Sequence, residues 1–165
     1  MEQDKIQRQL FDFYQLVISK IRLVDKNTPI NLDSSSYGDP KTFKNFKIHK
    51  DNKILYSFHM YEPFEYTNRK TNKGLLNYPG KIKDTYWNKK ILEEYLNEVN
   101  NFQKINNITS NRILVGEFGG HRQTKGLHKY FEDLISIFKE NNWHFAFYAF
   151  REDCWDGMDI MVPKN

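Results

Sequence analysis

A chain of 165 residues supports one hydrophobic core and is too short for two ordinary domains, so residues 1–165 are read as a single domain. With 39% hydrophobic and 16% aromatic residues it carries enough apolar area to offset chain entropy, which excludes a wholly disordered protein. The formal charge of +4 comes from 25 cations, 19 of them Lys, beside 17 Asn, a pattern of solvated Lys-rich surface that argues against nucleic-acid binding.

The elements follow in order. Ile6, Leu10, Phe13, Val17, Ile21 and Val24 recur at three- and four-residue steps and predict an amphipathic helix over about 4–25, ended by Asn27, Thr28 and Pro29. Ile30 to Asp33 predicts a short strand, and the polar cluster 34–40 a loop. ILYSFHMY at 54–61 is apolar on both faces and predicts a strand covered on both sides. Residues 62–84, rich in Asn, Lys, Thr, Gly and Pro, read as a long loop, functional or mobile. Trp87, Ile91, Leu92, Tyr95, Leu96, Val99, Phe102 and Ile105 predict a helix capped by Asp84 or Thr85. RILVGEFGG at 112–120 predicts a buried strand, Leu127 to Phe138 a helix, and HFAFYAF at 144–150 a last strand. Strands alternating with helices predict an α/β fold with a parallel sheet.

The single Cys154 excludes an internal disulfide, and no Cys and His cluster has zinc-ligand spacing, so neither metal nor cofactor is expected. The first twenty residues lack the basic start and apolar stretch of a signal peptide, and no run approaches the roughly 18 apolar residues of a membrane span. As written, the chain is expected to be soluble, without a membrane partner, and to stay where it is made.

Each predicted strand ends in polar residues: Asp33 with Ser34, His59 with Tyr61, Glu117, and Arg151-Glu152-Asp153. In a parallel sheet these carboxyl ends share one face, so distant residues meet there. The bland alternative is that they mark where strands reach water. His59 and Tyr61, two apart, point to one side, although a lone His in an aromatic strand is as often a satisfied core group. Glu117 is the sharper case, because a carboxylate on a buried strand is costly and is retained where it is paired or functional. Gly119 and Gly120 either admit a close approach of substrate or make the turn into the next helix. Asp153, Asp156 and Asp159 are three apart, which does not fit a calcium loop, and Trp155 reads as a sugar-stacking platform or as rim packing.

At these residues the chain resembles glycoside hydrolase family 5, the cellulase-like retaining glycosidases on a (β/α)8 barrel. FHMYEP at 58–63 is similar to the His-x-Tyr motif of the sixth barrel strand, ILVGEFGG to the seventh, and AFYAFREDCWDGMD at 146–159 to the eighth and its loop. IRLVDKNTPINLDSS at 21–35 resembles the approach to the fifth. The resemblance implies a partial TIM barrel, about the last four β/α units. It further implies that Glu117 is the nucleophile, that His59 and Tyr61 orient sugar hydroxyls and the nucleophile, and that Phe150 or Trp155 supplies the stacking ring. The implied activity is hydrolysis of O-glycosyl bonds in β-glucans such as cellulose, on a β-glucan or oligosaccharide substrate, and complete relatives are often secreted.

The family's acid/base lies in an Asn-Glu-Pro segment on its fourth strand, a tripeptide these 165 residues do not contain. Glu62, in Tyr61-Glu62-Pro63, belongs to the His-x-Tyr strand and is a poor substitute. A complete barrel takes about 250 residues. The expected partner is therefore the missing N-terminal half-barrel, and the alternatives are a non-catalytic carbohydrate-binding protein or an inactive remnant.

Overall fold

A computed structural model describes residues 2–149, so Phe150, Trp155 and the whole acidic loop at 153–159 lie outside the described residues. Helix α1 (Glu2–Val24) leads into β1 (Ile30–Asp33) and β2 (Ile54–Met60). A two-residue hairpin, β3 (Gly80–Ile82) and β4 (Thr85–Trp87), precedes helices α2 (Lys89–Tyr95) and α3 (Asn97–Asn106). Strand β5 (Ile113–Phe118), helix α4 (Leu127–Glu140) and β6 (His144–Phe147) complete the order. The main sheet runs β1-β2-β5-β6 with every pairing parallel. No helix among the described residues is long and apolar enough to cross a membrane.

The core lies on one side of this sheet. Ile54, Tyr56, Phe58 and Met60, alternate residues of β2, are all fully buried, and Ile113 and Val115 of β5 continue that layer. Phe43 and Phe46, from the turn after β1, meet Tyr56 and Phe102 edge-on or stacked, and Phe118 is ringed by Phe131, Phe138, Phe145 and Phe147 at 5.3–6.0 Å. The other side differs from the expectation that β2 is covered on both faces. Leu55 and His59 are only partly buried there, while Ser57 is fully buried and its hydroxyl has no hydrogen-bond partner among the described residues.

Three further expectations change. Residues 62–84 are not an open loop: helical turns at Phe64–Thr67 and Arg69–Asn72 and the hairpin pack there, with Tyr66 and Tyr78 almost fully buried. The predicted helix at 87–105 is split at Leu96, and its cap is Asn88, whose side chain accepts from the Ile91 N–H, because Thr85 is in a strand. Finally, α1 packs through Gln7, Phe11, Tyr14 and Ile18, with Leu10 and Val17 of the predicted stripe only partly buried at the edge of that face. Phe11 stacks on His49 and the Tyr14 hydroxyl donates to the Asp33 carbonyl at 2.8 Å. Of the predicted stripe, Ile6, Phe13 and Val24 are 49%, 57% and 91% exposed. The helix thus has two apolar faces about one residue, or 100°, apart, and buries one of them more than the other.

Candidate active site

The site forms where the parallel strands end. In β2, Phe58 pairs with Val115 of β5, but the next residue, His59, pairs with Glu117. Gly116 is the extra residue of a β-bulge. Without it, strict alternation would send the Glu117 side chain to the core side with Val115. The bulge turns it to the His59 side and lets Phe118 fall back into the core opposite Met60. A Cβ at 116 would sit 2.6 Å from the Ser57 hydroxyl oxygen and 3.4 Å from the His59 ring, so a side chain in the bulge would have to displace the Ser57 hydroxyl.

Four side chains converge there. The Tyr61 hydroxyl donates to Glu117 Oε2 at 2.8 Å. His59 Nδ1 stands 3.7 Å from the same oxygen, and its Nε2 stands 3.8 Å from Asp33 Oδ1 at the end of β1. The imidazole therefore lies between two carboxylates and spans three adjacent strands. Gly38, at φ 77°, closes over it from the β1 loop, so near that a Cβ would sit 2.9 Å from His59 Cγ. Glu117 is 39% exposed, so a ligand at the mouth of the sheet can reach it.

The glycines after Glu117 are explained by the chain itself. A Cβ on Gly119 would come within 2.1 Å of the Tyr148 carbonyl oxygen, and one on Gly120 within 2.7 Å of Leu127. The Tyr148 N–H donates to the Phe118 carbonyl at 2.9 Å, and the Tyr61 ring lies on Gly119 as well, 3.5 Å from where its Cβ would be. Tyr148 follows the last strand, which ends at Phe147, while Phe150 and Trp155, the stacking rings expected from the resemblance, lie outside the described residues. Asp33 is one of the polar strand ends read from sequence, but no role was assigned to it, and Tyr148 was not singled out. The sequence sign of the bulge was indirect: strict alternation from Ile113 and Val115 would put Glu117, and not Phe118, in the core.

Glu62 belongs elsewhere. Its Oε2 accepts from the Phe64 N–H at 2.8 Å, and the charges around it are Glu65, Asp39 and Lys41. Burial, reinforced by the two acidic neighbours, raises its carboxyl above the usual range. No three His, Cys, Asp or Glu side chains among the described residues could hold a metal ion.

The family model for cellulase, glycosyl hydrolase family 5, matches residues 1–153. The chain belongs to this family. Among solved structures, the endoglucanase Cel5A from the hyperthermophilic Thermotoga maritima superposes with a TM-score of 0.78 at 21% identity, over 93% of this chain and 49% of its own. The same enzyme in complex with cellobiose gives 0.76 at 20% identity, over 94% and 50%. The cellulose synthase subunit Z from Clostridioides difficile gives 0.77 at 20% identity, over 93% and 50%. At such identities the likeness is one of fold: the chain spans about half the length of these family 5 structures, and its four parallel strands form a partial (β/α) barrel. No curated protein matches the chain.

Proposed function

We propose that this chain carries the nucleophile of a retaining β-glucan hydrolase and that Glu117 is that nucleophile. The observation that carries the reading is the Glu117 carboxylate, turned by the Gly116 bulge to the open end of the sheet, with one oxygen held by Tyr61. Its Oε1 accepts no hydrogen bond from the described residues. That oxygen attacks the anomeric carbon, the glycosidic C–O bond breaks, and a glycosyl ester forms on Glu117. Water then hydrolyses the ester with net retention. The Tyr61 hydroxyl fixes the carboxylate for attack, and His59 orients both Glu117 and the sugar hydroxyls near it.

Retention needs a second carboxyl about 5–5.5 Å from the first, to protonate the leaving oxygen. Glu62 faces other charges, and the His59 ring stands between Asp33 and Glu117. We assign the acid to a further half-barrel, outside these 165 residues. The exposed second apolar face of α1 and the half-covered inner face of the sheet are the surfaces on which it would seat. General acid assistance contributes roughly 10²- to 10⁴-fold, so turnover by this half alone would be poor.

The test is to co-express this chain with the N-terminal half of a family 5 endoglucanase that carries Asn-Glu-Pro. A 2-deoxy-2-fluoro-cellobioside with a dinitrophenyl leaving group, which departs without acid help, is then added. The expected result is a glycosyl adduct on the peptide containing Glu117, together with cleavage of β-1,4-glucan. Labelling at another residue, or glucan cleavage that persists in Glu117→Gln, would sink the assignment.

A further inference from the structure

Helix α1 meets the crossover between β1 and β2 at His49, a residue only 5% exposed. The Phe11 ring stacks on its imidazole at 4.6 Å, the Tyr14 ring meets it edge-on at 6.2 Å, and Gln15 Oε1 pairs with its Nδ1. From the sheet, the Tyr56 hydroxyl accepts from the His49 backbone N–H at 3.0 Å. The imidazole thus sits between the helix and β2, and it supports the same Tyr14 whose hydroxyl reaches the Asp33 carbonyl beside the candidate active site.

An amide oxygen only accepts, so His49 Nδ1 carries the hydrogen and Nε2 is the bare nitrogen. Nε2 is buried and has no hydrogen-bond partner among the described residues. A second proton would place an N–H and a full positive charge where no acceptor of those residues meets it. The surrounding charges do not offset this. Lys47 Nζ lies 5.5 Å over the Phe11 ring and the Arg112 guanidinium 5.4 Å over the Tyr56 ring, so two of the aromatic neighbours already carry a cation. Asp51, two residues on, is engaged by Arg22 and the Lys53 N–H. Lys50 on the crossover, and Arg8 and Asp12 on either side of Phe11 in α1, are exposed. Burial accordingly lowers the His49 imidazole below its ordinary value of about 6.5.

We propose that His49 is an acid-sensitive latch: a second proton on its imidazole releases α1 from the crossover, and with it the hold of Tyr14 on Asp33, while the sheet stays folded. The neutral ring is the docked form. Docking is therefore complete above the undocked value of about 6.5 and is lost as pH falls through the lowered docked value. One proton is taken up on release, so each pH unit between the two values costs about a factor of ten in the docking equilibrium. The release of α1 does not depend on the function proposed for Glu117.

The experiment is NMR on the full chain from about pH 8 to about pH 5, following the His49 ring, assigned by its proximity to Phe11, together with amide hydrogen exchange corrected for intrinsic rates. His49 is expected to titrate below about 6.5, and the amides of residues 11–18 to lose about tenfold in protection between about pH 7.5 and pH 5, those of β2 and β5 keeping theirs. His49→Phe, which retains a ring against Phe11 and cannot titrate, is expected to hold α1 protection constant over that range. Gln15→Glu, at an exposed position, sets a carboxylate against Nδ1 and is expected to raise the His49 titration and to keep α1 docked in acid. A parent His49 that titrates at or above about 6.5 overturns the proposal, as does protection lost equally from β2 and β5. Should His49→Phe fail to fold, Gln15→Glu decides alone: an α1 that still loses its protection in acid places the sensitivity in another group and removes the latch.

Discussion

The two ends of the sheet carry similar residues and use them in opposite ways. At the end where the strands begin, Arg22 donates to Asp51 at 2.5 Å and to the Asp25 and Thr28 carbonyls, while Arg112 donates to the Ile54 and Asp51 carbonyls. The hydrogen bond from Arg22 holds the Asp51 carboxyl below its ordinary range. At the end where the strands finish, Asp33 and Glu117 stand 3.8 and 3.7 Å from His59, both partly open to solvent. At the first end the two arginines tie the loops together, although Arg22 Nη2 is buried without a partner among the described residues; at the other end the incompletely paired groups would, under the proposed function, be available to a ligand, the division expected of a (β/α) barrel.

That contrast breaks most decisively at Glu117. In the complemented protein, Glu117→Gln is expected to reduce fluoro-glycoside labelling to background while thermal unfolding stays within about 0.5 kcal/mol of the parent. A large loss of stability would place Glu117 among the structural charges instead. Gly119→Ala is next, costing about 2–4 kcal/mol in denaturant unfolding, because its methyl would meet the Tyr148 carbonyl. Tyr61→Phe removes one hydrogen bond to a charged oxygen, about 1.5–3 kcal/mol, and is expected to slow labelling roughly 10- to 100-fold.

Asp51→Asn, at the opposite end, is expected to cost about 1–2 kcal/mol at neutral pH, between an exposed and a buried pair. Because the folded carboxyl titrates below its unfolded value of about 3.9, its stabilisation is complete above that pH and fades as pH falls through the lowered folded value. Thermal unfolding of parent and variant should therefore converge in acid, and a constant gap would remove Asp51 from the account. Asp33→Asn is the mildest: a half-exposed carboxylate near an imidazole is worth under about 1 kcal/mol, so labelling should slow no more than about fivefold.

The strands of the main sheet were legible because runs such as ILYSFH and ILVGEF are apolar, short and bounded by turn residues. Glu117 was legible for an energetic reason, since a carboxylate among such neighbours needs a purpose. The packed face of α1 was not. Phe11, Tyr14 and Ile18 form as good a stripe as Leu10, Phe13 and Val17, and periodicity alone cannot rank two apolar faces one residue apart. The hairpin was missed because three-residue strands show no alternation to read. The approach of Asp33 to His59 depends on the β1–β2 register, and that of the Tyr148 carbonyl to Gly119 on the β5–β6 pairing. Both are properties of pairing between strands, which no single stretch of sequence contains.

Under the proposed function, the double-sided α1 helix would be a seam as well as a support. An engineer dividing such a barrel into two pieces would do best to cut ahead of it, so that it travels with β1 and docks as a ready-made wedge. A cut behind it would strip Asp33 of its Tyr14 strut, unstack Phe11 from His49, and hand the other fragment an orphaned greasy cylinder.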